Sequence, residues 1–199
     1  MVRHLAGTAV VVSMLALPFP DARAADAGSP GTSSAPTAAG GFKGLVAALS
    51  GSWILAIRSE PPQQGASSTR STGTARWYTA ADSRVLLEDE HLPVSSMDVK
   101  LLGLIWWDEK SQTFSGLLCT NRSSRTCDPK ASLDDIRIHW DGRRLLIEEL
   151  EHQRDGSVLL FRESYSEITP KSYVQLGEIG PPAGPFRRLF TVQATRSGD

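Results

Sequence analysis

Residues 138–168 read IHWDGRRLLIEELEHQRDGSVLLFRESYSEI and carry the pattern that decides the fold. Apolar and polar residues alternate on both sides of two Asp-Gly pairs, Asp141-Gly142 and Asp155-Gly156. Alternation with a period of two is typical of strands that have one buried face. Asp-Gly suits the tight turn of a hairpin, because both central residues of that turn need positive φ. The stretch therefore predicts three antiparallel strands joined by short turns.

The same period continues on either side of this stretch, and turn-forming residues separate the segments. Ten strands are predicted, over residues 52–59, 70–79, 83–92, 98–107, 112–120, 134–140, 143–151, 157–168, 172–179 and 185–196. Nothing after Gly51 shows a helical period. Ten strands in one sheet have to curl, and closure into a barrel removes the exposed edges. We therefore predict an all-β domain, a single antiparallel up-and-down β-barrel.

A short helix is predicted ahead of the first strand. Phe42, Leu45, Val46 and Leu49 recur at helical spacing, which places them on one face. Gly51 is placed to end the helix, because glycine adopts the left-handed conformation at little cost. The helix has barely two turns, so it can persist only by packing on something larger. The barrel domain with its helix is expected to span residues 42–199.

The start of the chain has the layout of a cleaved signal peptide over residues 1–24. Arg3 lies in a short basic segment, residues 5–17 are apolar, and Ala22 and Ala24 place small residues before the cleavage point. The apolar run is shorter than the roughly 20 residues that cross a bilayer. No membrane span is therefore expected in the mature protein.

The part that follows is predicted to be an exported protein that begins at Ala25. Residues 25–41 are nearly all small or turn-forming and cannot bury enough apolar area to offset the entropy of ordering, so we expect a flexible linker. The 199 residues carry a formal net charge of −1, which offers no electrostatic attraction for nucleic acid or an anionic membrane surface. The expected location is the periplasm or the extracellular medium.

Cys119 and Cys127 are the only cysteines, and they flank a polar loop between two predicted strands. In an exported protein, such a pair favours a disulfide, which would stabilise the domain by roughly 2–3 kcal/mol. A redox-active pair would usually have two residues between the sulfurs. We therefore predict a structural disulfide.

Three short motifs mark the start, the middle and the end of the barrel domain. They are LSGSW at residues 49–53, the set Gly103, Trp107-Asp108, Phe114 and Gly116, and FTVQATR at residues 190–196. In this order they resemble lipocalin-like (calycin) domains, and in particular a bacterial branch of secreted domains of unknown function. The resemblance covers roughly residues 42–196 and implies a lipocalin-like barrel. Barrels of that shape mostly bind small apolar ligands, which is what the resemblance implies here.

Trp53 and Arg196 are predicted to meet at one end of the barrel. Trp53 begins the inner face of the first strand, and Arg196 ends the inner face of the last strand, which runs antiparallel to the first. A guanidinium over an indole stabilises by roughly 0.5–2 kcal/mol and could also donate to carbonyls at the end of the helix. The alternative is that Arg196 lies in a frayed terminus.

Aromatic side chains on the predicted strands are the candidate ligand-binding residues. Trp77, Trp107, Phe114 and Tyr165 could line a cavity, and Trp107 could face Phe114 across the turn between their strands. Filling of the core is the simpler explanation, because a barrel of about this size can be packed solid or hold one ligand.

Acidic residues cluster at residues 88–90 and 148–151. Two carboxylates across a cleft could carry out acid–base chemistry on a glycoside. Alternation along a strand turns half of such residues outward, where they are merely solvated. His91, His139 and His152 are most simply surface residues. We predict no metal ligands and no cofactor, and the sequence contains no G-x-S-x-G motif, no H-E-x-x-H motif and no phosphate-binding glycine loop.

The sequence therefore predicts an exported lipocalin-like domain that binds a small apolar or amphipathic ligand. The alternatives are a protein-interaction adaptor with a solid barrel and a hydrolase that uses paired carboxylates. A large internal cavity would favour ligand binding, and an exposed apolar patch over a filled barrel would favour the adaptor. Converging buried carboxylates with raised pKa values would favour the hydrolase.

Overall fold

The computed structural model describes residues 38–61, 67–94, 97–121 and 127–198. Each strand pairs antiparallel with the next along the chain, and β10 pairs with β1, which closes the barrel. The prediction of an all-β, up-and-down barrel of ten strands is confirmed. The elements are α1 (Ala38–Leu49), β1 (Gly51–Ser59), β2 (Thr69–Ala80), β3 (Val85–Val94), β4 (Met97–Asp108), β5 (Thr113–Thr120), α2 (Pro129–Asp135), β6 (Ile136–Trp140), β7 (Leu145–His152), β8 (Val158–Ser166), β9 (Ser172–Gly180) and β10 (Arg187–Arg196).

The N-terminal predictions fall mostly outside the described part of the chain. The predicted signal sequence, residues 1–24, lies there entirely. The linker predicted over residues 25–41 overlaps α1, which begins at Ala38 rather than at Phe42. Among the described residues, no helix has the length and apolar character needed to cross a membrane.

The helix α2 contradicts the expectation that nothing after Gly51 is helical. The Asp128 side chain accepts hydrogen bonds from the backbone N–H groups of Lys130 (3.0 Å) and Ala131 (3.3 Å), and Pro129 occupies the first turn. A capping aspartate followed by proline is a favourable start for a helix. As a result, β6 begins at Ile136 and not at residue 134.

The helix α1 lies against the end of the barrel at which β1 begins and β10 ends, which we name the helix end. Phe42 and Leu49 of α1 are buried. The Phe42 ring centroid lies 6.4 Å from that of Phe114, and a Cβ on Gly44 would lie 3.7 Å from Nε1 of Trp140. This packing supplies the support that so short a helix needs.

The disulfide lies toward the opposite end, which we name the far end. Cys119 on β5 bonds to Cys127, which precedes α2, and their Cα atoms are 4.6 Å apart. The predicted disulfide is confirmed.

Candidate functional site

Three glutamates point into the middle of the barrel. Glu88 and Glu90 alternate with exposed residues on β3, and they share the inner face of that strand with buried Leu86 and Leu92. Glu163 faces inward from β8, and its exposed fraction is 2%. We call these three carboxyl groups the acidic layer. Carboxylates are almost never fully buried unless they are paired, so this layer is the most unusual feature of the described structure.

A chain of hydrogen bonds crosses the barrel through this layer. The Tyr165 hydroxyl donates to Glu88 Oε1 at 3.1 Å, although β8 and β3 are not neighbours in the sheet. Gln175 Nε2 lies 3.1 Å from the Tyr165 hydroxyl and 3.4 Å from Glu163 Oε1, so it donates to both. Gly103 pairs with Glu88 in register and gives it room, since a Cβ there would lie 3.2 Å from Glu88 Oε2.

Several buried polar atoms around this chain have no hydrogen-bond partner among the described residues. Both carboxylate oxygens of Glu90 are unpartnered, as are Glu163 Oε2 and Gln175 Oε1. Nε1 of Trp77 and the hydroxyl of Tyr173 also form no hydrogen bond of normal length, although the indole N–H is close enough to the hydroxyl oxygen to oppose the rise in the Tyr173 pKa. A buried polar group without a partner costs roughly 1–3 kcal/mol, and native proteins contain few of them. Several such atoms therefore lie together around the acidic layer.

Burial raises the pKa of all three carboxyl groups. For Glu88 the neighbouring Glu90 and Glu163 add to the rise, and the Tyr165 hydrogen bond opposes it. The pKa of Glu90 is also raised by burial and by Glu163, while the nearby Gln175 amide opposes the rise. The pKa of Glu163 rises to about 7, through burial and then through Glu149. Desolvation and like charge both disfavour ionisation, so the layer holds protons at a pH at which free glutamate is ionised.

Two more carboxylates continue this inner face toward the far end. Glu149 and Glu151 share the inner face of β7 with buried Leu145 and Ile147. Burial raises the pKa of Glu151. The interior is therefore acidic from its middle toward the far end.

The remaining acidic and histidine side chains of the clusters face outward. Asp89 is exposed, and Glu148 pairs with Arg162 on the outer wall at 2.7 Å. His91 contacts Asp98, and His152 Nε2 lies 3.1 Å from Asp135 Oδ1. Among the described residues, no group of three histidine, cysteine, aspartate or glutamate side chains is arranged to hold a metal ion.

The four predicted ligand-lining residues lie between the acidic layer and the helix end. The Trp77 and Tyr165 rings make an edge contact at 5.7 Å, and both residues are fully buried. Trp107 and Phe114 make a similar contact at 5.2 Å, in register across their hairpin. The structure thus brings them together as two ring pairs in the core. Only Tyr165 is also bonded to the acidic layer, and contact with a ligand stays a prediction for all four.

Trp53 and Arg196 lie together at the helix end. They are in register between β1 and β10, and the Arg196 Cζ atom is 4.2 Å from the centre of the indole ring. Trp53 Nε1 donates to Leu49 O at 2.9 Å, and Arg196 Nη1 donates to Ser50 O. Two side chains from neighbouring strands thus satisfy carbonyls at the end of α1, which its own backbone leaves unpaired.

Gly51 makes this arrangement possible. Its φ is +136°, a conformation that other residues rarely adopt, and a Cβ there would lie 2.0 Å from Arg196 Nη1. The glycine that ends the helix therefore also leaves the space in which the guanidinium binds.

Comparison of the sequence with known proteins does not assign the chain to a family. The chain matches no model of a protein family, and no curated protein is similar to it in sequence.

Proposed function

We propose that the barrel binds a small cationic amphipathic molecule, whose amino or guanidino group is held by the acidic layer. The observation that carries this proposal is Glu90, a carboxyl group whose exposed fraction is 1% and whose two oxygens form no hydrogen bond of normal length with the described residues, although the Gln175 amide lies nearby. As in the lipocalin-like binding predicted from the sequence, the ligand is held inside the barrel. The ligand must, however, bring N–H donors and not an apolar surface alone.

The unpartnered atoms match a donor-rich cation. The unpartnered oxygens of Glu90, Glu163 and Gln175 outnumber the donors of Trp77 and Tyr173, which lie close to each other. An ammonium group offers three donors and no acceptor, and a guanidinium offers five. A positive charge beside the layer favours the ionised carboxylates, so binding is expected to lower their pKa values and to release protons.

The surroundings suit the apolar part of such a ligand. Aromatic rings flank the acidic layer on the side of the helix end, where Trp77, Tyr165 and Tyr173 are buried. Aromatic faces attract cations as well as apolar groups. A barrel of ten strands is also wider than one of eight, and eight strands already suffice to hold one small ligand.

Calorimetric titration with matched amines and alcohols tests the proposal. We expect 2-phenylethylamine or octylamine to bind at least tenfold more tightly than 2-phenylethanol or octan-1-ol. Glu90→Gln should weaken amine binding at least tenfold, whereas Asp89→Asn, one residue away on the outer face, should leave it unchanged. Titrations in buffers of different ionisation enthalpy should show protons released.

Equal affinity for amines and alcohols would contradict the proposal, and so would equal loss in the two variants. Failure of every amine to bind would also contradict it. Binding should strengthen as the pH rises, because protonated carboxyl groups offer no charge to the ligand.

A hydrolase is the second candidate, and the raised pKa of Glu163, about 7, favours it. A carboxyl group with such a pKa exchanges protons at neutral pH, as a general acid or base must. Turnover of 4-nitrophenyl glycosides, with a pH profile whose limb near 7 disappears in Glu163→Gln, would support this candidate. An adaptor is less favoured, because the large exposed apolar side chains of the described residues, Ile54, Met97, Leu102 and Leu133, are spread over three elements.

A further inference from the structure

The outer wall of the barrel carries a groove where β8, β9 and β10 lie side by side. Its volume is about 360 Å³, and its apolar floor consists of Val174 and Leu176 on β9. The side chains that flank this floor are hydroxyls, from Ser164 and Ser166 on β8 and from Thr191 on β10. The groove faces away from the acidic layer, because β9 turns Gln175 inward and its neighbours outward.

The register of the sheet explains why the hydroxyls face one another. Leu176 pairs with Ser164 on one side and with Thr191 on the other, and Val174 pairs with Ser166. Residues in register on one face of neighbouring strands have Cβ atoms about 5 Å apart. A ligand over the floor can therefore reach hydroxyl groups from both sides.

Two arginines supply the charge. Arg144, just before β7, and Arg188, near the start of β10, both line the groove. Neither guanidinium forms an ion pair within the described residues. The carboxylate of Asp141 accepts hydrogen bonds from backbone N–H groups, including that of Arg144 at 2.7 Å, and so holds this residue in place.

The nearby carboxylates do not fill the groove. Glu148 pairs with Arg162, whose guanidinium also lies over the Phe186 ring at 4.2 Å. Glu178 is in register with Arg188, but it does not line the groove. Asp141 interacts with the charge of Arg144, but it does not line the groove.

From this arrangement we infer a second binding site, specific for an oxyanion that is bound by Arg144 and Arg188. Guanidinium groups bind carboxylates and phosphates with paired hydrogen bonds, and serine and threonine hydroxyls can add donors. The apolar floor provides for a short aliphatic tail on the same ligand. This site is independent of the proposed cation site, since it lies on the other face of the sheet.

Two probes separate the possible sources of the oxyanion. Sodium octanoate carries a carboxylate with an aliphatic tail, whereas inorganic phosphate is an oxyanion without a tail. Each is titrated at constant ionic strength into isotopically labelled protein, and the amide signals of Val174, Leu176 and Thr191 are followed by NMR. We expect saturable shifts at these residues, with octanoate binding more tightly if the floor holds its tail. Phosphate binding alone would show a site for the free ion.

A matched pair of double variants provides the control. Arg144→Gln with Arg188→Gln should weaken binding at least tenfold. Arg143→Gln with Arg154→Gln removes the same charge from exposed positions outside the groove and should change binding less than twofold. If both double variants lost the same affinity for the anionic probes, the binding would reflect the overall positive charge and not the groove. That result would overturn the inference. Shifts spread over the surface, or none with either probe, would overturn it too.

Discussion

Two neighbouring layers of the barrel interior treat their polar groups in opposite ways. At the helix end, the indole of Trp53 and the guanidinium of Arg196 donate to carbonyls at the end of α1. In the acidic layer, Glu90 forms no hydrogen bond of normal length with the described residues, and Glu163 keeps one oxygen free. At the helix end, the polar side chains find hydrogen-bond partners nearby. In the acidic layer, several carboxyl oxygens lack such partners.

The difference separates groups that stabilise the fold from groups that cost stability. Matched groups at the helix end tie α1, β1 and β10 together. Unmatched carboxyl groups oppose folding, and natural proteins retain such features chiefly at functional sites. We therefore expect changes at the helix end to weaken the fold and neutralising changes in the acidic layer to strengthen it.

The largest effect is expected for Trp53→Ala. The side chain is fully buried, packs against the Tyr173 ring at 4.7 Å and bonds to Leu49 O. Its removal should lower the free energy of unfolding by about 3–5 kcal/mol, measured by urea denaturation. Trp53→Phe keeps a ring and loses the hydrogen bond, so it should cost clearly less. Equal costs for the two variants would show that the bond, and not the packing, holds this end.

The acidic layer should make the ligand-free protein less stable as the pH rises. The pKa of Glu163 is about 7 in the folded protein, against 4.5 for its ordinary value. The folded state thus keeps a proton that the unfolded state releases. Its stabilising contribution is complete below pH 4.5 and is lost as the pH rises through about 7. At about 1.4 kcal/mol per unit, Glu163 accounts for roughly 3–4 kcal/mol of this loss.

Urea denaturation between about pH 4.5 and 8 measures this slope. Glu163→Gln should make the slope shallower without abolishing it, because Glu88 and Glu90 also have raised pKa values, and Asp89→Asn on the outer face should leave it unchanged. If Glu163→Gln kept the full slope, Glu163 would be ionised in the folded state and the contrast between the two layers would fail.

The barrel could be predicted because its signals are local. Alternation and Asp-Gly turns act over a few residues, and ten such segments leave closure as the simplest way to protect the edges. The helix α2 was missed because its seven residues show too few turns for a period, although Asp128-Pro129 marks its start. Turn chemistry carried more information there than hydrophobicity.

The acidic layer was harder to predict. Leu86 and Leu92 flank Glu88 and Glu90 at a spacing of two, which places all four on one face, but Leu87 makes the opposite face equally plausible as the buried one. The contact from Tyr165 to Glu88 joins residues 77 apart in the chain, and no local pattern encodes it. Glu163 and Gln175 were missed for the same reason, since their burial depends on strands distant in sequence.

The smallest of these effects is expected for Arg196→Ala. This variant tests whether the charged side chain at the helix end stabilises the fold. The guanidinium stacks on Trp53, and its Nε atom donates to Pro170 O at 2.6 Å. Its removal leaves the carbonyls of Pro170 and Ser50 without this donor. We expect a loss of about 1–3 kcal/mol in the free energy of unfolding. Arg196→Lys should recover only part of it, because an ammonium cannot stack as a planar group and donate in two directions.

Arg58→Ala is the control for Arg196→Ala. Arg58 is an exposed cation on the same strand as Trp53 with a surface partner, Glu60, and such pairs contribute less than about 1 kcal/mol. Equal losses for Arg196→Ala and Arg58→Ala would mean that the stacked arginine stabilises no more than a solvated one. The helix end would then owe its stability to packing alone, and polar matching would no longer distinguish it from the acidic layer.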